Sequence, residues 1–155
     1  MTVSPQTIPA PLAEIIDDFQ AVTEAERLQL LLEFSRELPE LPERFAGHPE
    51  LLEQVVECQS PLFLTLELGD DPDQDVQIYF SAPPEAPTTR GFASVLHEGL
   101  NGLPAQQILA VPDDIAEHLG LTRAITPLRI RGMSAMLFRI KRLITEARQL
   151  RAASA

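Results

Sequence analysis

The chain has 155 residues, a net charge of −11 and 45% hydrophobic residues, the size and composition of one globular domain with its own core. So acidic a chain repels phosphate backbones, which argues against a nucleic-acid partner. Its single cysteine forms no internal disulfide, which points to a reducing, cytoplasmic setting.

The opening MTVSPQTIPA has neither a basic n-region nor an apolar h-region, so no signal peptide is expected there. No apolar run approaches the ~18 residues of a membrane span. Residues 1–11 are rich in proline and read as a flexible arm, with the domain covering 12–152. Leu12, Ile15, Ile16 and Phe19 then predict a short first helix. Thr23 with Glu26 three residues on is a capping box, and Leu28, Leu31, Leu32 and Ser35 carry a second helix toward Leu38 and a stop before Pro39. LPELPERFAGHPE is a proline-broken connector.

The period then changes to two. Leu62, Leu64, Leu66 and Leu68 share one face of a strand, and Val76, Ile78 and Phe80 share one face of the next. The loop GDDPDQD joins them as an antiparallel hairpin, and LEQVVE is a candidate third, short strand. RGFASVLHEGL predicts a helix striped by Phe92, Val95, Leu96 and Leu100, and LPAQQILA and VPDDIAEHLGL predict two helical turns. The last segment is the most regular, with Met133, Met136, Leu137, Ile140, Leu143, Ile144, Ala147 and Leu150 on an apolar stripe. Helices, a small antiparallel sheet and further helices make a single α+β domain.

Charge divides unevenly. Residues 1–85 hold 18 acids and 3 bases, whereas residues 86–155 hold 5 acids and 9 bases. The basic face of the last helix, with Arg139, Lys141, Arg142, Arg148 and Arg151, is expected to face solvent and to help dock an acidic partner, chiefly through Arg139, Arg142 and Arg148.

Most chemistry is excluded by spacing. Asp71, Asp73 and Asp75 open like an EF-hand loop, but Val76 stands where glycine belongs and Ala82 where glutamate belongs, so calcium is rejected. His48, His97 and His118 have no second ligand at metal-binding spacing, and neither a phosphate loop nor a G-x-S-x-G elbow occurs. No metal or cofactor is expected. Cys58 remains, and two readings of it stay open: an inert core thiol, or a reachable thiol at the lip of a strand, since Pro61 interrupts the alternation that would bury it.

The stretch ECQSPLFL resembles the cysteine loop of the SufE-like sulfur acceptors, G-C-Q-S before an apolar strand. ELPELPE resembles that family's LPEL connector, RGFASVLHEGLNGLPAQQIL its central helix, and LGLTRAITPLRIRGMSAMLFRIK its tail, so the resemblance runs in order from about residue 12 to 150. It implies helices packed on one face of a small antiparallel sheet, in a monomer or homodimer. It also implies a sulfur carrier and desulfurase activator rather than a stand-alone enzyme. Cys58 would accept persulfide sulfur from a pyridoxal-phosphate-dependent cysteine desulfurase and pass it to an iron–sulfur scaffold. Arg129 falls on the tail arginine, a candidate support for the loop or the thiolate. Three features depart from the pattern. Glu57 replaces glycine, Leu128 and Ile130 replace the serines that flank the arginine, and Leu62–Phe63 replace a bulky residue after C-Q-S.

In that role a lone cysteine is an advantage, because no second thiol in the chain can resolve the persulfide. Apolar surroundings and the Glu57 charge should keep the free thiol protonated and sluggish, and Glu57→Gly should quicken it. The alternative role is a non-catalytic adaptor, with Cys58 as a buried structural residue.

Overall fold

The computed structural model describes residues 7–154. Six helices and three strands follow in chain order: α1 (Ala10–Gln20), α2 (Glu24–Ser35), β1 (Glu53–Gln54), β2 (Phe63–Leu68), β3 (Val76–Ser81), α3 (Pro87–Leu100), α4 (Ala105–Leu109), α5 (Ile115–His118) and α6 (Pro127–Ser154). The sheet is antiparallel in the order β1-β2-β3, and the fold is α+β.

Helix α2 starts at the capping box, where Thr23 Oγ1 accepts the Glu26 amide and Glu26 Oε1 accepts the Thr23 amide. It ends at Ser35, earlier than the apolar pattern suggests, because the residue before Pro39 is steered out of helical geometry and the chain loosens ahead of it. Helix α1 opens at Ala10, and the Thr7 amide donates to the Ala110 carbonyl at 3.1 Å. Residues 7–11 are therefore tied into the domain. The rest of the expected arm, residues 1–6, lies outside the described residues.

One face of the sheet carries Leu64, Val76, Ile78 and Phe80, all buried, and helices α3 and α6 pack on it with Phe92, Leu96, Met136 and Ile140. Helices α1 and α2 form a further layer on α3 through Leu12, Phe19 and Leu31. The opposite sheet face is covered in part by the proline-rich connector. Its Phe45 ring lies 5.0 Å from Tyr79, and Arg44 reaches Glu67 Oε1 at 2.6 Å and the Tyr79 hydroxyl at 3.0 Å. The connector is irregular, as its sequence requires, yet it supplies the cover that this face lacks from helices.

The basic face of α6 departs from expectation. Arg139 binds Glu53 and Glu57, Arg142 binds Glu53 and Glu146, Lys141 binds the Val111 carbonyl and Asp113, and Arg151 binds the Leu68 and Gly69 carbonyls. These cations are occupied within the molecule, and Arg139 and Arg142 fasten residues 53–57 to the last helix. Arg139 and Arg142 are therefore not a free basic face, and the docking role expected of them is set aside. Leu150 also departs, being exposed. It sits six residues after Ile144, about 120° further round the helix, and so turns off the core stripe.

Candidate functional site

Strands β1 and β2 are joined by the segment that carries the only cysteine. The ladder runs through Glu53↔Leu64 and Gln54↔Phe63, and the Val55 amide extends it to the Leu62 carbonyl at 2.9 Å. A 3-10 turn over Val56–Cys58 follows, closed by Gln59 in the left-handed conformation at φ 57°. The chain thus needs its left-handed residue one place after the cysteine. Glu57 is not among the described residues with positive φ, so its replacement of a glycine carries no backbone penalty of that kind. The Ser60 hydroxyl donates to the Cys58 carbonyl at 3.2 Å and lies 3.3 Å from Thr89 Oγ1, which joins the turn to the first turn of α3.

Cys58 is half-buried against α6. Its thiol points at the Gly132 carbonyl, with Sγ to O at 3.7 Å, and a Cβ on residue 132 would lie 3.1 Å from the sulfur. Glycine at this position makes room for the sulfur. The cysteine is also open on one side, to a cleft of about 380 Å³ lined by Gln59, Ser60, Thr89, Thr126 and Arg129, among others. The two sequence readings of Cys58 therefore meet, in a thiol packed on a helix at the wall of an open cleft.

Burial pushes the Cys58 thiol up to about 12, with the Glu57 carboxylate adding to the shift and the Arg139 guanidinium opposing it. At neutral pH such a thiol is ionised to only about one part in 10⁵. The reaction of Cys58 with a small neutral alkylating reagent is therefore expected to quicken about tenfold per pH unit and to show no plateau below about pH 11. A rate that levels near pH 9 would mean that the sulfur is solvated like that of a free cysteine.

Arg129 lines the same cleft, but its Nη1 donates to Thr88 Oγ1 at 3.1 Å, and the cation acting on the thiol is Arg139. Sequence reasoning placed Arg139 on an outer face. The available signal was its spacing of seven from Gly132, two helical turns, which sets both on the face of α6 that meets the cysteine turn.

Elsewhere the chemistry is thinner. Asp71, Asp73 and Asp75 offer oxygens within 4.8 Å of one another at the tip of the β2–β3 hairpin, beyond the strand that follows Cys58. The histidines join no such group among the described residues. A larger cleft of about 720 Å³ lies between α2 and α3, where Arg90 is bonded to the Ser35 and Ala82 carbonyls and so serves the packing.

A lone thiol presented on a hairpin turn and held by the helix behind it defines a cysteine-centred α+β domain. Residues 13–144 match the family model "SufE: Fe-S metabolism associated domain", and the chain belongs to the SufE family. An uncharacterised SufE-like protein of Mycobacterium tuberculosis is 56% identical over 144 residues, which cover 93% of this chain and 98% of that one. A SufE-like protein of Arabidopsis thaliana, described as chloroplastic/mitochondrial, is 28% identical over 85% of this chain and 34% of its own length. Among solved structures, a hypothetical protein from Thermus thermophilus superposes with a TM-score of 0.78 at 34% identity, covering 92% of this chain and 99% of the other.

Proposed function

We propose that Cys58 accepts a sulfane sulfur from the persulfide of a cysteine desulfurase and passes it to an iron–sulfur scaffold, and that the chain stimulates the desulfurase by unloading it. The observation that carries this reading is the placement of the chain's only thiol on a hairpin turn at the wall of an open cleft, in a chain of the SufE family.

The step is an exchange without net redox change. The Cys58 thiol loses its proton, and its sulfur attacks the outer sulfur of the partner's Cys–S–SH group. A new S–S bond forms on Cys58, the S–S bond of the donor breaks, and the donor cysteine leaves as a thiolate that takes up a proton. Cys58–S–SH then offers its outer sulfur to the scaffold in the same way. The low ionisation of Cys58 in the isolated chain shields it from oxidants. It also requires the partner to expose or deprotonate the thiol. Pyridoxal phosphate belongs to the desulfurase, and this chain needs no cofactor for the exchange. The reaction suits a reducing, cytoplasmic compartment and a monomer or homodimer with the cleft open. Arg129, on the cleft wall, is bonded to Thr88 of α3, next in the chain to the Thr89 that meets Ser60.

The test is to incubate the protein with a pyridoxal-phosphate-dependent desulfurase and cysteine, then to measure its mass without reductant. One added sulfur atom on the Cys58 peptide and faster sulfide release on reduction are expected. A desulfurase that carries its own persulfide while Cys58 gains none would overturn the reading. The protonated, helix-packed state of the thiol favours the adaptor reading as second choice. That reading requires docking and stimulation that do not depend on Cys58.

A further inference from the structure

One guanidinium holds the cysteine turn in place. Arg139 Nη1 donates to Glu53 Oε2 at 2.6 Å and Nη2 donates to Glu57 Oε1 at 2.7 Å. Glu53 lies in β1 and Glu57 immediately precedes Cys58, so a single side chain fastens strand and turn to α6. Arg142 takes Glu53 as well and is braced by Glu146 at 2.8 Å. Both carboxylates are held below their ordinary range; for Glu57 the first cause is the Arg139 hydrogen bond.

The arrangement costs Arg139 a hydrogen bond, since its Nε is buried with no partner. The side chain is thus placed to bridge two carboxylates rather than to satisfy all of its own donors. Gln59 adds a reason for such a hold, because a non-glycine residue in the left-handed region is strained and persists only where its surroundings fix it. The outer end of the clasp is the accessible one. Glu57 is 37% exposed against 18% for Arg139.

We propose that Arg139 is the positioning residue that keeps the Cys58 turn closed on α6, and that the turn opens only when its bonds to Glu53 and Glu57 part. Opening would lift the sulfur off Gly132 and away from α6. The use made of this opening rests on the sulfur-acceptor reading, whereas the clasp itself can be tested without any desulfurase.

The test uses Arg139→Gln and a neutral alkylating reagent at about pH 8. Loss of the cation alone leaves Glu57 unopposed and should slow alkylation. Loss of the clasp frees the turn and should speed it, so the two effects differ in sign. We expect alkylation about fivefold faster, the population change that about 1 kcal/mol of lost ion pairing produces. Low urea should leave that rate unchanged, as befits a local opening. Arg139→Lys, which keeps a cation able to hold one carboxylate, should return the rate toward that of the wild type. A slower or unchanged rate, or an acceleration that climbs with urea like global unfolding, would overturn the clasp. Should Arg139→Gln fail to fold, Glu53→Gln releases the strand end of the clasp, and the charges acting on Cys58 are those of Glu57 and Arg139 rather than Glu53; it too should quicken alkylation, and an unchanged rate there overturns the proposal. A quickened thiol that takes no sulfur from a desulfurase would count against the acceptor reading alone.

Discussion

Cys58→Ser is expected to abolish sulfur uptake and leave the domain folded. Oxygen in place of sulfur keeps the shape of the side chain, and a serine hydroxyl can still donate toward the Gly132 carbonyl that the thiol now faces at 3.7 Å. The residue is half-buried at a cleft wall rather than central to the core, so the change in stability should stay within about 1 kcal/mol. Chemistry, by contrast, is lost entirely, because a hydroxyl cannot accept a sulfane sulfur by thiol exchange and the chain contains no other thiol. Desulfurase turnover, the mass of the recovered protein and a thermal melt together decide the matter. A serine variant that stimulates the desulfurase or supports scaffold loading at the wild-type level would transfer the role to docking alone.

The second large effect is on stability. Gly91→Ala is expected to cost about 3 kcal/mol, which lowers the melting temperature by about 2–4 °C for each kcal/mol in a domain of this size. Helices α2 and α3 meet at this glycine. A Cβ there would lie 2.6 Å from the Leu31 carbonyl oxygen and 2.9 Å from its Cγ. The first of these is backbone held within α2, and the second belongs to a fully buried side chain, so neither can yield without parting the helices. The general gain in helix propensity from glycine to alanine, about 1 kcal/mol, is too small to offset the clash. A calorimetric melt with an unchanged or raised midpoint would show that the two helices separate more easily than their packing indicates.

Much of the architecture was legible because local patterns and the global fold agree. The capping box at Thr23 and Glu26, the two-residue alternation in β2 and β3, and the apolar stripe from Met133 to Ile144 each match the observed elements. Tertiary context overrode pattern in particular places. Leu150 has the spacing of a stripe residue but turns away from the core. The connector is as irregular as its prolines predict, but nothing in its composition announces that Phe45 and Arg44 lie across Tyr79. The third strand shrinks to Glu53–Gln54 because the chain must leave the ladder to form the cysteine turn.

The sequence by itself determined the α+β class, the uniqueness of the thiol and its position at the edge of a strand, since these depend on periodicity, composition and residue count. Family membership was also written there, in motifs spread along most of the chain. Only the tertiary structure decided what surrounds the sulfur. Gly132 and Arg139 lie more than seventy residues from Cys58 in the chain, and they reach it because one face of α6 packs on the β1–β2 turn while another packs on the sheet. An amphipathic pattern marks a single apolar face and assigns the remainder to water. It cannot reveal a second, polar face that is buried against carboxylates from a distant strand, because ion pairs between remote residues leave no period in the sequence.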